Sequence, residues 1–179
     1  MNKKQQGFVV LLILLGGILF SSGSEYSQAL GVQVGRLAGI GVSYQTWMRN
    51  VGFQVAGGFL YHQELEEGGD RLVYNIGFEL QYPLVSHTVN SWLDGKLYVV
   101  GGLHHQGYQE VEASESVPPV LSSGPLTLNL GLGAGVGVET ILYDHFAIGT
   151  EFVYVGMYET NSGKLDINMY PQVSLRYRF

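Results

Sequence analysis

The chain has no cysteine, and only 13% of its 179 residues are charged. The first absence excludes a disulfide scaffold, a thiolate metal centre, a cysteine nucleophile and a cysteine-linked lipid anchor. Charge this sparse beside 46% hydrophobic residues excludes a disordered chain, whose mark is low hydrophobicity with high net charge. Basic residues are few, 9 against 15 acidic, which argues against binding nucleic acid or anionic lipid through a basic patch. Long apolar runs are missing as well, with one exception at residues 7–20. As a helix that run covers about 21 Å, short of the roughly 30 Å hydrocarbon core of a bilayer. A bundle of membrane helices is therefore excluded.

The exception reads as an address. Lys3 and Lys4 precede the apolar run, and Ser21, Ser22, Gly23 and Ser24 follow it, the order of a secretory signal peptide with a small-residue cleavage site. Cleavage before Glu25 makes residues 1–24 a signal peptide and leaves residues 25–179 as a single domain.

What the sequence has in plenty is glycine, 26 residues, without the proline of a low-complexity chain. The glycine sits inside an alternating pattern. From Leu126 to Val138 every even position is Leu, Ala or Val, while Thr127, Asn129, Gly131, Gly133, Gly135, Gly137 and Glu139 take the odd ones. That is a strand with one apolar face. Residues 72–82 repeat it, with Leu72, Tyr74, Ile76, Phe78, Leu80 and Tyr82 on the apolar side. The same rule yields eight strands, at about 26–36, 40–48, 52–62, 72–82, 96–105, 126–140, 145–156 and 168–179. A membrane strand needs about 9 to 11 tilted residues, so eight fit the length and leave room for connections. The expected fold is all-β: an eight-stranded antiparallel up-and-down barrel.

Side-chain size decides which face points inward. A soluble barrel fills its narrow lumen with large apolar groups and shows charge to water. Here the polar face is Gly, Ser, Asn and Gln, which suits a crowded lumen, while Leu, Val, Ile and Phe form the outer face. Tyr26, Tyr44, Tyr61, Tyr82 and Tyr177 fall near strand ends, where aromatic girdles form at a membrane interface. A closed barrel also pairs every backbone group, as lipid requires. Connection lengths set the orientation, because bacterial barrels have short periplasmic turns and longer external loops. Residues 63–71, 106–125 and 157–167 are long, the first two acidic, and are expected outside. The segment 106–125, with Pro118 and Pro119, is expected not to extend the sheet. Residues 83–95, read as a long periplasmic connection, and a very short external turn at 37–39 fit this orientation poorly.

The alternation also points Glu79, Glu139 and Glu151 into the lumen together with Lys96, Arg176 and Arg178. Bare charges in a narrow lumen cost several kcal/mol each, so these six are expected to pair as an internal charge network that blocks the pore. Arg178, beside the chain end, is the one expected to reach for the rim.

The last strand ends on Val173, Leu175, Tyr177 and Phe179 at every second position. Together with the signal peptide and the eight strands, this resembles the small eight-stranded barrels of bacterial outer membranes, of the OmpA transmembrane-domain and OmpX architecture. The resemblance spans about residues 26–179 and concerns architecture and terminal motif. It implies a location in the outer membrane among its lipids and lipopolysaccharide. It also implies that Val173, Leu175, Tyr177 and Phe179 form the signal read by the barrel-assembly machinery.

Chemistry is sparse. His104 and His105 lie on opposite faces of one strand and cannot easily share a site. Some barrels of this size modify lipid A, and the deacylases among them place a His and a Ser two apart on one face; Ser86 and His87 are neighbours, so the match fails. No His spacing or calcium loop suggests a metal, and Glu64, Glu66, Glu67 and Asp70 read as a solvated acidic loop. The glycines at 131–137 make room in the lumen and do not cradle phosphate. No catalytic residue, cofactor or metal is assigned. The expected role is a structural or surface-interaction protein, meeting any surface ligand through residues 63–71 and 106–125. A narrow pore or lateral route for small molecules is the first alternative, and lipid A modification the second.

Overall fold

A computed structural model describes residues 26–48, 50–61, 70–113 and 121–179. Their backbone forms eight strands: β1 Gln28–Val34, β2 Ile40–Met48, β3 Val51–Tyr61, β4 Asp70–Asn90, β5 Leu93–Ala113, β6 Leu121–Leu142, β7 Phe146–Glu159 and β8 Leu165–Arg178. Each is antiparallel to its neighbours, and β1 pairs with both β2 and β8, so the sheet closes into an eight-stranded barrel. Closure continues past β8, where the Phe179 amide donates to the Gln28 carbonyl at 2.9 Å. The expected signal peptide lies outside the described residues, as does most of the loop expected at 63–71.

The barrel is apolar outside, and its interior holds a layer of buried polar side chains beside a smaller apolar cluster. On β6 Leu132 is 67% exposed, whereas Glu139, of opposite parity, is fully buried. Alternation along a pleated strand sends every second side chain to the same face, so one period-two pattern produces both surfaces. Exposed aromatic residues edge the outer face, with Tyr82, Trp92, Tyr143, Phe146 and Tyr177 near the end that carries Phe179. That end is termed lower here. Glycines on the inner face give large interior groups their space: a Cβ on Gly137 would lie 2.5 Å from the Tyr98 ring.

Three sequence expectations are corrected. Residues 83–95 are not a long connection. β4 runs on to Asn90 and β5 starts at Leu93, so the segment is a hairpin with Ser86 opposite Lys96 and Thr88 opposite Asp94. Pro83 is tolerated because β3 has ended by this level, leaving that side of β4 a free edge, and the register slips between Pro83 and Val85. Residues 106–125 likewise do not form one loop. β5 pairs up to Ala113 with β6 from Leu121, with a register shift between Gln109 and Val111. A hairpin supplies its own pairing partner, so acidic residues do not stop it, and Pro118 and Pro119 fall outside the described residues. Finally, the turn after β1 spans residues 35–39 and is not an external rim turn, because it folds into the barrel.

Candidate functional site

The interior has two storeys separated by that inward turn. Below it lies a layer of hydrogen-bonded side chains from seven strands. Gln172 Nε2 donates to Glu79 Oε1 at 2.9 Å and to Glu151 Oε2 at 2.7 Å. Glu151 also accepts from the Tyr98 hydroxyl at 2.6 Å and from Gln81 Nε2 at 3.3 Å. Gln54 Nε2 donates to Glu79 Oε2 at 2.9 Å and to Gln33, and Gln45 Nε2 donates to Gln81 at 2.8 Å. The Arg176 guanidinium donates to Gln54 and to Gln33, and its Nη1 stands 3.8 Å from Glu139 Oε2. Glu79, Glu139, Glu151, Arg176 and these glutamines are all buried. The glutamines, Glu79 and Glu151 are bonded to one another, while both Glu139 carboxylate oxygens and Arg176 Nε and Nη1 are buried without a hydrogen-bond partner.

The six residues expected to pair acid with base separate into different environments. Glu79 and Glu151 are held by glutamine amides and the Tyr98 hydroxyl, with no cation in salt-bridge contact among the described residues. Arg176 and Glu139 face each other, although the 3.8 Å separation is longer than a hydrogen bond. Lys96 instead rests its ammonium 3.6 Å from the centre of the Trp47 ring, a cation–π contact. Arg178 reaches the lower rim, donating to the carbonyls of Tyr26 at 2.9 Å and Asp144 at 3.2 Å. A small polar recess at this mouth, about 230 Å³, is lined by Ser86, His87, Thr88, Asp94, Lys96 and Arg178. The glutamines carry much of the bonding and are not visible in a search for charges. The signal that finds them is parity, since Gln33, Gln45, Gln54, Gln81 and Gln172 all occupy inward positions of alternating strands.

The turn between β1 and β2 is the floor of the upper storey. Leu37 and Ala38 are buried, and Gln172 Oε1 accepts from both of their amides, at 2.7 and 3.0 Å. On the far side, Asn75 reaches across Gly58 to the backbone of Ile40, accepting from its amide at 2.6 Å and donating to its carbonyl at 3.1 Å. Leu37 joins an apolar cluster with Tyr98, Val100, Val153, Val155 and Met157, against which Tyr170 packs. No residue at 35–39 is an alternating strand position, so this packing has no signature in the periodicity.

Because β1 and β2 stop at the turn, the wall above it is incomplete. β8 continues from Gln172 up to Leu165, and β3 from Gly58 up to Tyr61, with no strand between them among the described residues. The gap is three strand spacings, about 14 Å, wide. Leu60 shows the consequence: its inward parity would bury it lower down, yet it is 65% exposed. Arg36 stands at the threshold, its guanidinium donating to Gln106 at 3.2 Å and lying 5.9 Å from the centre of the Tyr170 ring. His104 points inward and is buried beside Gln106 and the Leu37 backbone, while His105 on the outer face sits 5.5 Å from the Tyr74 ring.

No protein-family model matches the chain, and no curated protein matches it. Among solved structures the chain is similar to the crystal structure of the N-terminal β-barrel domain of Pseudomonas aeruginosa OprF. The two share 17% sequence identity over 88% of this chain and 100% of that one, with a TM-score of 0.49.

Proposed function

We propose that this protein is a membrane-spanning barrel of a bacterial outer membrane, non-enzymatic, with a structural or surface-interaction role and a lumen closed by its polar layer. The observation that carries the reading is the inversion of polarity. A ring of apolar side chains including Val34, Leu132, Tyr154 and Leu175 faces outward, while five glutamines, three glutamates and an arginine are buried within. Water cannot stabilise that outer surface, and a bilayer can. The lower end, with its short turns and the C-terminal Phe179, is assigned to the periplasm. The connections at 62–69 and 114–120 are assigned to the outside, where a surface ligand would meet them. Val173, Leu175, Tyr177 and Phe179 are assigned as the signal for the assembly machinery.

The closed lumen follows from the bonded layer. Gln172 alone touches the turn, Glu79 and Glu151, so little cross-section is left for an open aqueous path. Fractionation with heat-modifiable gel migration tests membrane insertion: the folded barrel should partition with outer membranes and change mobility on boiling. Planar-bilayer recording tests the plug. A reproducible wild-type conductance would move the reading to a pore.

A further inference from the structure

We propose that a groove on the outer wall of the barrel seats one acyl chain of a lipid from the external leaflet and holds it obliquely across the strands. The inference rests on the barrel being embedded in a bilayer with its lower end in the periplasm, and it is independent of whether the lumen conducts.

The groove follows from the strand register. Its lower ridge runs from Val55 on β3 through Phe78, Leu103 and Leu132 to Gly156 on β7, each residue opposite the next. Its upper ridge runs from Ile76 on β4 through His105, Leu130 and Tyr158 to Leu165 on β8. The ridges stand two residues apart along each strand, about 6.8 Å. The row between them points inward, so the floor is the backbone of Gly77, His104 and Gly131, and the groove encloses about 690 Å³. A second outward recess, about 420 Å³, is confined to β6 and β7.

Length and slope say what fits. From β3 to β8 the groove crosses five strand spacings, about 24 Å. It lies at right angles to strands tilted about 35–45°, so it climbs about 15 Å, which is half of the roughly 30 Å hydrocarbon core. That is the depth of one leaflet. The climb ends at Leu165, on the external side, where the Tyr158 hydroxyl lies 3.9 Å from the Cβ position of Gly163 in the β7–β8 turn. No Asp, Glu, Lys or Arg lines the groove among the described residues, and its ridge side chains, such as Phe78, Leu103, Leu132 and Leu165, are exposed. The His105 ring lies beside Tyr74, one step above the upper ridge on β4. Apolar surfaces gain nothing from water inside a bilayer, so preference there comes from close contact. A chain in the groove touches both ridges and the floor, whereas a chain on the convex wall touches one side only. A helix, about 10 Å across, is too wide to enter.

The test uses the full barrel in phosphatidylcholine nanodiscs that contain a trace of the same lipid with a photoreactive group on one chain, placed near the terminal methyl or near the headgroup. Cross-links are mapped by peptide mass spectrometry. The deep probe should label Val55 and Phe78 several-fold more than the outward residues Val42 and Val173, and the shallow probe should favour Tyr158 and Leu165. The two ends of one chain then map to opposite ends of the groove, a shift around the wall that lipids aligned with the membrane normal do not give. Gly156→Leu fills the groove from the outside. A Cβ at Gly156 meets the side chains of Leu165 and Ile167 at 3.6 and 3.7 Å, ordinary contact that the fold accepts. The variant should bring Val55 and Phe78 down to the level of Val42 and Val173 and leave those two unchanged. Equal deep labelling of both pairs in the wild type, or indifference to Gly156→Leu, would overturn the proposal. Barrel-to-barrel cross-links through Leu103 or Leu132 in place of lipid adducts would also overturn it, by putting a second copy in the groove. Failure to label Val42 and Val173 as well would defeat the membrane reading and this one with it, whereas loss of the groove preference alone defeats only this one.

Discussion

The side-chain oxygen of Gln172 accepts the backbone amide of Leu37 at 2.7 Å, joining residues 135 apart in sequence. Its nitrogen meanwhile binds Glu79 and Glu151, so one glutamine ties the inward turn to the polar layer beneath it.

Replacing Gln172 by Leu keeps the bulk and removes every one of these bonds. The turn amides and both carboxylates lose a partner, and each buried polar group left unsatisfied costs about 1–3 kcal/mol. The midpoint of the heat-induced mobility shift should fall clearly below that of the wild type. A midpoint equal to that of Ser174→Ala, on the same face of β8, would show that the turn is held by other means.

Arg176 offers a second test in the same layer. It is 1% exposed and faces Glu139 while donating to Gln33 and Gln54. Removing one member of a buried ion pair strands the other, at about 3–5 kcal/mol. Arg176→Met should therefore destabilise the barrel strongly and Ser174→Ala little. Adding Glu139→Gln to Arg176→Met should recover part of the loss, because it removes the stranded charge. Thermal melting of the folded band in all four proteins, wild type included, checks the coupling.

Gly77 lies against the turn so closely that a Cβ would sit 2.1 Å from the backbone oxygen of Ala38. Gly77→Val cannot coexist with the turn in its observed place, and backbone cannot yield as a flexible side chain can. The variant should either fail to fold or release the turn outward. Protease cleavage within residues 35–39 of any folded fraction, absent from the wild type, is the expected readout.

How much of this could be read in advance divides along one physical line. Period-two alternation reports which face a residue takes, so the eight strands, the polarity of the two surfaces and the inward placement of Glu79, Glu139, Glu151 and Arg176 were all legible. Strand ends were less so. Alternation weakens between Pro83 and Gly95, where the hairpin leaves the ring and exposes both faces, as the uniformly exposed residues from Leu84 to Trp92 show. The partners of the inward charges were also hidden. Periodicity gives a side and not a height, so Lys96 could not be placed on Trp47 or Arg178 on the rim carbonyls. The inward turn carries no periodic signal at all.

Chain closure bears on assembly. Phe179 pairs through its backbone with Gln28, next to the β1–β8 seam that completes the ring. Deleting Phe179, or replacing it by Asp, should lower the yield of folded barrel in cells far more than Ser174→Ala does. Equal amounts of heat-modifiable protein from wild type and the deletion would remove Phe179 from the assembly signal.

The central claim, an inside-out barrel in a bilayer, is tested most directly by neighbouring residues on opposite faces. Since the chain has no native cysteine, single substitutions report without background. The measurement is alkylation by a bilayer-soluble maleimide of Val42→Cys, Val173→Cys and Leu175→Cys against Ser43→Cys and Ser174→Cys, in reconstituted vesicles, read by mass. The account predicts modification at 42, 173 and 175, whose native side chains are exposed, and protection at 43 and 174, whose native side chains are buried. Modification at 43 and 174 with protection at 42, 173 and 175, or no difference between the two sets, would contradict it.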